Sequence, residues 1–563
     1  RCTDGKGGSR VAVEQPAVLE EDQRTLHHLG YAQELRRGLS QFSNFAVSFT
    51  IISILAGNLT VFYLAMQAGG PRVILISWPI VGLFSTLVAM AMAEVNSAYP
   101  TAGGMYYWSA KLAKRNQAQW SWVTGWVNIL GLIGVVASVD YALAVFTSFF
   151  LDYYIDSIFG YALVEAEALY IIFAVILVLH GLLNTFGVRL LKWLGDISVW
   201  WHVIGASLIV IAMLVIPSGT EGFGSLLDGR NLTGWGFTGA YWFYVFPIGF
   251  LLSQYMLTGY DASAHVAEET KDAAVNASRA MVRSVWISAL AAWVITVVMI
   301  AAVPVGAYDD IALVGINSAP TLFEQAVGGN VAKLLVFTAI AGQFFCGMFG
   351  LTSLSRTVYA MSRDRGVPGS RVWSRVNPKT RTPTNAVWFG VIVCALLGLL
   401  SLVQKENYSY AFFAFVAITA IGLYTAYVMP VFLRLRNPDF RPGPWNLGRW
   451  SRIVGWTAIA WVVIIDILFV LPVYGPVDAF WPPWEGSNRN LFNFAGPVFL
   501  TALALILLWW LVSARKWFTG PRVQGSEEEL VRIERELAAL ERGEGIPAPS
   551  PAPAPAPGAA GAT

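Results

Sequence analysis

Apolar residues along this chain fall into long runs separated by short polar connections. Each run holds about twenty residues or more, the length an α-helix needs to cross ~30 Å of hydrocarbon. Twelve such segments cover residues 42–66, 72–93, 120–150, 162–184, 194–216, 240–262, 280–306, 331–360, 384–403, 408–433, 453–473 and 492–514. The pattern therefore predicts an all-α polytopic membrane protein with twelve transmembrane helices.

Composition agrees with this class. Hydrophobic residues make up 56% of the 563 and charged residues 13%, whereas a soluble chain carries about 25% charged residues. Cys346 and Cys394 lie in apolar segments and Cys2 lies in a polar stretch, so no disulfide framework is indicated. The net charge of +2 gives no reason to expect a nucleic-acid partner.

The distribution of Lys and Arg predicts the orientation, because cytoplasmic loops carry an excess of both. With the N-terminus placed in the cytoplasm, the inner connections hold 25 of these residues. The outer connections hold five, namely Arg72, Arg230, Lys333, Lys405 and Arg489. We therefore expect a multi-pass protein of the cytoplasmic membrane with both ends of the chain in the cytoplasm.

Polar sequence flanks the apolar segments. Residues 1–40 predict a disordered cytoplasmic tail. Residues 516–563 predict a cytoplasmic tail with a short charged helix, from Ser526 to about Arg542, and a Pro/Ala-rich end that has no means of forming a core.

The first apolar segment carries more polar side chains than a lipid-facing helix tolerates. They are Ser43, Asn44, Ser48, Thr50, Ser53, Asn58 and Thr60. The stretch from Ser53 to Asn58 interrupts this segment. If the backbone unwinds near Leu55, Ala56 and Gly57, the helix that resumes after it presents free N–H groups to a substrate carboxylate. Close helix packing through small residues explains Ala56 and Gly57 equally well.

The sixth apolar segment is interrupted as well. If it breaks at Thr258 and Gly259, the preceding half-helix ends with unpaired carbonyls near Tyr255, Met256 and Leu257, which suit an ammonium group. Tyr255 adds an aromatic face. Together the two breaks predict a site for a zwitterion, with the carboxylate at the first segment and the amine at the sixth.

Breaks in segments one and six divide the chain into two five-helix units, residues 41–216 and 240–435. An odd number of spans in each unit gives the second unit an inverted orientation, as in many secondary transporters. Two extra helices follow in residues 450–515.

Three separated stretches resemble one family. Glu94–Trp108 resembles the loop signature of amino acid permeases, Thr258–Thr270 the sixth-helix signature of their amino acid/choline transporter branch, and Ser355–Pro368 the end of helix eight in the same group. The resemblance runs from about Leu35 to Arg515. It implies the amino acid–polyamine–organocation superfamily, with its leucine-transporter-like fold. At position 56, where many relatives carry Ser or Thr, this chain has Ala.

His202 is the candidate for ion coupling. Counted from Gly187, it matches the position at which some superfamily members carry a Lys that resembles a stand-in for sodium. A histidine titrates near neutral pH, so its protonation could couple proton entry to transport; a neutral imidazole donating to a backbone carbonyl is the structural alternative. Sodium coupling stays open, because Thr352, Ser353 and Ser355 offer hydroxyl ligands.

Other ionisable residues receive structural roles. Asp261 and His265 are expected to stabilise the half-helix that resumes after Gly259, Asp261 by capping it. His265 and Glu268 have metal-face spacing, but one pair is weak evidence, and no metal site is predicted. Asp140, His180, Asp196 and Asp466 are each expected to form hydrogen bonds inside the bundle or to lie at an interface, and not to bind a ligand.

Glu268 and Glu269 follow the sixth segment and are expected to form cytoplasmic contacts. The arginines at the end of the eighth segment are their expected partners. Such pairs could serve as an inner gate or simply fasten two loops together.

These features favour a secondary active transporter that imports an amino acid by alternating access, with a proton or sodium ion as partner. A GABA, choline or polyamine permease of the same fold is the alternative; choline would need an aromatic cage, for which Tyr255, Tyr260 and Trp242 are available. A nutrient sensor that does not transport is a further one. No phosphate-binding loop, nucleophile elbow or zinc-protease motif is present in the sequence, so neither a cofactor nor an enzymatic activity is expected.

Overall fold

The computed structural model describes residues 15–239, 241–403, 410–471 and 495–542. Within these ranges, eleven helices are long and apolar enough to cross a membrane. They match eleven of the twelve apolar segments. The remaining segment, 240–262, is divided into shorter helical pieces, because it contains a break. The predicted all-α polytopic membrane fold is confirmed.

The first half of the chain is built from nine helices and one small hairpin. The helices are α1 (Gln15–Leu29), α2 (Gln41–Ile52), α3 (Gly57–Thr60), α4 (Phe62–Ala68), α5 (Pro71–Ala98), α6 (Gly104–Leu112), α7 (Gln117–Leu151), α8 (Ala166–Thr185) and α9 (Val188–Val215). The hairpin pairs β1 (Ser157–Ile158) with β2 (Tyr161–Ala162) in antiparallel register.

The second half begins with a π-helical turn at Tyr241–Val245. The α-helices that follow in the described residues are α10 (Phe246–Ile248), α11 (Leu251–Met256), α12 (Ala262–His265), α13 (Ala273–Ala301), α14 (Tyr308–Leu313), α15 (Ser318–Ala326), α16 (Gly329–Arg363), α17 (Ser370–Trp373), α18 (Thr384–Gly398), α19 (Tyr410–Leu435), α20 (Ser451–Phe469), α21 (Ala495–Val512) and α22 (Glu527–Glu541).

Helices of the first five-helix unit pack against their counterparts in the second. The pieces α2 and α3 meet α12 and α11, α5 meets α13, α7 meets α16, and α8 meets α18. The division into two inverted five-helix units stays a prediction. The later helices α20 and α21 pack on the outside, where apolar side chains such as Ile464, Leu500 and Leu505 remain exposed.

Residues 15–40 and the C-terminal helix differ from the expected disordered tail and solvated helix. In residues 15–40, Leu26, Tyr31 and Leu35 are buried. The C-terminal helix α22 appears where the sequence predicted it, and its capping box between Ser526 and Glu529 fixes its start. Its Leu530 and Ala539 are buried as well, so a few apolar residues are enough to dock both ends on the helical bundle. Residues 1–14 and the Pro/Ala-rich end lie outside the described residues.

Polar contacts join the two tails to each other. Glu534 of α22 lies 2.8 Å from the His27 ring and accepts the backbone N–H of Gln33 at 2.7 Å. Glu541 pairs with Arg36 at 3.0 Å. We refer to the side of the bundle that carries α1 and α22 as the tail side.

Candidate substrate site at the two helix breaks

The first break lies where the polar first segment predicted it. Helix α2 ends at Ile52, and Ser53 adopts φ 40° and ψ 97°, outside the helical region. A single turn follows, in which the Ala56 N–H donates to the Ser53 carbonyl at 3.1 Å. Helix α3 then resumes at Gly57.

This break exposes unused hydrogen-bonding groups. Among the described residues, the amides of Leu55, Gly57 and Asn58 have no acceptor, as expected at the start of a helix. The Asn58 side chain is fully buried, and neither its oxygen nor its nitrogen has a partner there. Buried polar groups normally find a partner, so this amide and the three N–H groups are available to a ligand or to water.

The second break also lies at its predicted place. Helix α11 ends at Met256, Gly259 has φ +81°, and α12 resumes at Ala262. A positive φ of this size favours glycine, because an L side chain would meet its own backbone. Thr258 lies between the two pieces and donates its hydroxyl to the Tyr255 carbonyl at 2.7 Å.

Tyrosines of α19 occupy part of the second break. The Leu257 carbonyl accepts a hydrogen bond from the Tyr424 hydroxyl, and the Gly259 N–H donates to the Tyr427 hydroxyl at 3.0 Å. Of the three carbonyls predicted to hold an amine, that of Met256 receives no hydrogen bond from any described residue. Of these three, Met256 therefore presents the free acceptor.

The two breaks face each other directly. A Cβ atom added to Gly57 would lie 3.0 Å from the Met256 Cα, and one added to Gly259 would overlap the Cγ2 of Ile51. Ser48 ties the pieces together by donating to the Tyr260 carbonyl at 2.8 Å. The free amides of the first break thus lie beside the free carbonyl of the second.

The aromatic residues considered for a choline cage are not brought together. The Tyr255 hydroxyl donates to Ser138 of α7 at 2.8 Å. Tyr260 packs against Tyr427 at 4.8 Å between ring centroids. Trp242 is 39% exposed and lies beside Arg72. The three rings have separate neighbours and do not surround one cation.

His202 of α9 contacts the first residue of the first break. Its Nε2 lies 2.7 Å from the Ser53 hydroxyl, and its Nδ1 lies 2.8 Å from the Ser198 carbonyl. Both Ser53 and His202 are fully buried. A neutral ring that donates from Nδ1 and accepts from Ser53 satisfies both contacts. Adding a proton to Nε2 would force the Ser53 hydroxyl to become an acceptor.

Asp261 and His265 form a buried pair on the resumed half-helix. The His265 Nε2 lies 2.9 Å from one Asp261 oxygen, and the Tyr427 hydroxyl donates to the other at 2.6 Å. The Asp261 side chain makes no capping hydrogen bond, in contrast to the capping role suggested by the sequence. The carboxylate points along the helix to the i+4 imidazole instead. His265 also contacts Asn128 and Thr357, at 3.2 Å and 3.1 Å.

Two ion pairs lie on the tail side of the second break. Glu269 accepts from Arg356 at 2.8 Å, and Glu268 pairs with Arg363 at 3.2 Å. All four side chains are buried. We call these the closing ion pairs, and they join the end of the sixth segment to α16 as the sequence suggested. The backbone N–H groups of Gly38 and Leu39, just before α2, add hydrogen bonds to the Glu269 carbonyl.

The buried carboxyl of Asp364 lies just beyond the end of α16, next to the closing ion pairs. Asp364 accepts hydrogen bonds from Tyr31 at 3.1 Å, from Tyr106 at 3.2 Å and from the Arg522 N–H at 2.9 Å. Burial raises the pKa of the Asp364 carboxyl to about 6, although Arg363 and these donors oppose the shift. Both tails are therefore anchored at one buried acid.

The hydroxyls considered for sodium lie on α16. Thr352 donates to the Asn184 side chain at 2.7 Å, and Ser355 donates to the Thr352 carbonyl at 2.8 Å. The Ser353 hydroxyl is buried without a partner among the described residues. Two of the three hydroxyls are thus engaged in helix contacts.

Sequence reasoning missed the residues that other helices bring to the breaks. These residues are Ser138, Tyr424 and Tyr427, and they lie in predominantly apolar segments in which polar residues are scattered. The signal that could have identified the tyrosines is their i, i+3 spacing on one face of α19. Their targets, however, are backbone atoms more than 160 positions away along the chain.

Comparison with known proteins places this architecture in a family. The model of a family described as amino acid permease matches residues 39–504. Amino-acid permease BAT1 of Arabidopsis thaliana is 39% identical over 536 residues, covering 92% of this chain and 99% of that protein. Its homologue from rice, Oryza sativa subsp. japonica, is 37% identical, covering 88% and 94%.

A putative polyamine transporter of Candida albicans is 30% identical, covering 93% of each chain. The matched region contains both helix breaks, His202 and the closing ion pairs. The chain therefore belongs to the amino acid permease family of the amino acid–polyamine–organocation superfamily, and it is a multi-pass membrane protein of the transporter class.

Proposed function

We propose that this protein imports an amino acid across the cytoplasmic membrane by alternating access, driven by a proton. The observation that carries the proposal is the juxtaposition of the two breaks. Free amides at Gly57 and Asn58 lie beside the free carbonyl of Met256. A carboxylate would accept from the amides and an ammonium group would donate to the carbonyl, so a zwitterion suits both ends.

The tail side is assigned to the cytoplasm in this proposal. Its loops hold the excess of Lys and Arg, which topology rules place inside. The closing ion pairs would then seal the inner end of the pathway while the site faces outward or is occluded. Their separation would release the substrate inward.

Proton coupling is assigned to His202. Protonation of its Nε2 reverses the hydrogen bond with Ser53, which is the residue at which α2 stops. A proton on this ring would therefore change the geometry of the break that receives the carboxylate. Thr352, Ser353 and Ser355 would serve a sodium ion instead if sodium is the driving ion.

Replacement of His202 by alanine is expected to abolish proton-driven uptake while substrate binding and counterflow exchange persist. The ring can no longer link protonation to the break, but the amides and the Met256 carbonyl remain. Uptake into proteoliposomes with an imposed pH gradient measures the first effect, and counterflow without a gradient measures the second. His28→Ala, at an exposed histidine on the tail side, is the control and should behave as wild type.

Unchanged gradient-driven uptake in His202→Ala would refute the coupling role of the imidazole. Uptake driven equally well by a sodium gradient in the wild type would instead support the α16 hydroxyls as the coupling site. Imposing the two gradients separately distinguishes these results.

Substrate class is tested by competition for uptake of a radiolabelled neutral amino acid. An α-amino acid such as leucine should compete, because it carries a carboxylate for the first break and an ammonium group for the second. GABA should compete more weakly, since its charges are further apart. Choline and putrescine should not compete, because neither carries a carboxylate for the first break. Inhibition by choline alone would refute the amino-acid proposal.

A polyamine is the second candidate, favoured by the name of the Candida albicans relative. A polyamine would leave the free amides of Gly57 and Asn58 unused and would need carboxylates, of which Asp261 is the nearest to the second break. Strong competition by putrescine without competition by leucine would support it. Ligand binding without accumulation under any gradient would instead indicate a sensor.

A further inference from the structure

A second buried carboxylate–imidazole pair lies away from both breaks. Asp140 of α7 and His180 of α8 approach to 3.1 Å between Oδ2 and Nδ1, and both are fully buried. The pair sits where α7, α8 and α16 pack together. The ring of Phe344 on α16 covers the imidazole at 4.5 Å between centroids.

Each member of this pair keeps an unused polar atom. Asp140 Oδ1 and His180 Nε2 are buried, and neither has a hydrogen-bond partner in the described part of the chain. The other acids near the helix breaks whose whole side chain is buried differ in this respect, whereas the partly buried Asp196 and Asp466 also keep one unpartnered oxygen. Both oxygens of Asp261 are hydrogen-bonded, and Glu268 and Glu269 each have an arginine. Full satisfaction of polar atoms is the rule for purely structural groups in a core.

Among the described residues, neither member of the pair forms an ion pair with Lys or Arg. Asp140 acts electrostatically on Tyr255 of α11, Cys346 of α16 and Cys394 of α18. All three are neutral or acidic groups. Without an added proton, the pair would leave one net negative charge inside the membrane, which costs several kcal/mol. The pair is therefore neutral only when carboxylate and imidazole together hold one added proton, on either partner.

The pair is mechanically connected to both breaks. Ser138, two residues before Asp140 on α7, accepts a hydrogen bond from the hydroxyl of Tyr255 at the end of α11. On α16, a Cβ atom at Gly347 would overlap Asp140 Oδ1, so the carboxylate lies directly on this backbone. The neighbouring Cys346 donates to the Ile51 carbonyl at the end of α2. A shift of α16 relative to α7 would disturb the pair and both half-helices together.

We propose that Asp140 and His180 form an intramembrane proton-binding site, separate from His202, that is loaded and emptied as the helix breaks close and open around the substrate. The proton enters and leaves through the unused atoms, Asp140 Oδ1 and His180 Nε2. Loading removes the net negative charge and stabilises the packed arrangement of α7, α8 and α16. Unloading requires that water reach these atoms, which movement of α16 would permit. The proposal rests on the proposed transport function only in linking this proton to substrate.

Infrared difference spectroscopy on the purified full-length protein tests the site directly. Adding the substrate identified by competition, or changing pH, should alter the C=O band of a protonated carboxyl group. Asp140→Asn should remove that change, and His180→Gln should shift its frequency or its pH dependence. Asp466→Asn is the matched control, because Asp466 lies in another span, on the outer helix α20, with Thr425 as its partner. The control should keep the change.

Transport supplies the second readout. Asp140→Asn is expected to retain binding and counterflow but to lose accumulation driven by a pH gradient. A carboxyl signal identical in the wild type and Asp140→Asn, or gradient-driven accumulation unchanged in both dyad variants, would overturn the proposal. A wild type that shows no proton-driven uptake refutes the proposed coupling instead. In that case the pH-induced infrared change still decides whether the pair binds a proton. If Asp140→Asn fails to fold, His180→Gln carries both readouts.

Discussion

Gly259→Ala is expected to weaken substrate binding at least severalfold, whereas the same substitution at Gly234 should leave it intact. The two glycines have nearly the same φ, +81° and +80°. A Cβ atom at Gly234 meets nothing within 4 Å, but at Gly259 it would overlap Ile51 of the facing break. The pair of variants therefore separates backbone strain from collision between the two half-helices.

The energetic costs of the two substitutions differ enough to be measured. An L residue in the left-handed region costs roughly 1–2 kcal/mol, and both variants carry that cost. Overpacking adds typically ~1–3 kcal/mol, and only Gly259→Ala carries it. Because 1.4 kcal/mol is tenfold in affinity, we expect a further loss of at least about fivefold in substrate affinity.

Equilibrium binding to detergent-solubilised protein measures the effect, and thermal unfolding checks that both variants are folded. Gly57→Ala, whose Cβ would lie 3.0 Å from the Met256 Cα, should weaken binding from the opposite side. Normal affinity in folded Gly259→Ala would show that substrate binds elsewhere.

The positions of the breaks could be predicted because their causes are local. Gly259 interrupts an apolar run at a point where the observed φ favours glycine, and the run around Ser53 carries too many polar groups for a lipid-facing helix. The twelve segments are equally local, since hydrophobic length alone decides them. His202 was selected by resemblance, and the structure places it 2.7 Å from Ser53.

The partners of these residues could not be predicted. Asp140 and His180 are 40 positions apart, and each looks like a single polar group in an apolar helix. Tyr424 and Tyr427 reach the second break only because α19 packs beside α11. The packing of the two tails on the bundle could not be predicted for a related reason. Their low overall hydrophobicity predicts disorder, yet Tyr31 and Leu35 find sites that the bundle has already built.

The second large effect is expected when a closing ion pair is broken. It concerns the stability of the fold and not the affinity for substrate. Arg356→Met leaves Glu269 as a buried, uncompensated charge, and removing one partner of a buried pair costs about 3–5 kcal/mol. The double variant Arg356→Met/Glu269→Met leaves no unpaired charge and should recover most of that loss. Arg532→Met breaks an exposed pair with Glu536, 57% and 38% exposed. It should cost at most about 0.5 kcal/mol.

Thermal unfolding gives the order of the variants. Arg356→Met should melt lowest, and the double variant and Arg532→Met should lie close to wild type. Hydrogen–deuterium exchange then distinguishes whether the closing ion pairs act as a gate or only hold the fold together. If the pairs close the pathway, exchange in Arg356→Met should rise at Ala262–Glu269 and at Gly38 and Leu39, whose amides bond to Glu269. It should stay unchanged in α20. A uniform rise across the protein would mean that the pairs only hold the fold together, because a gate must open without unfolding the helices around it.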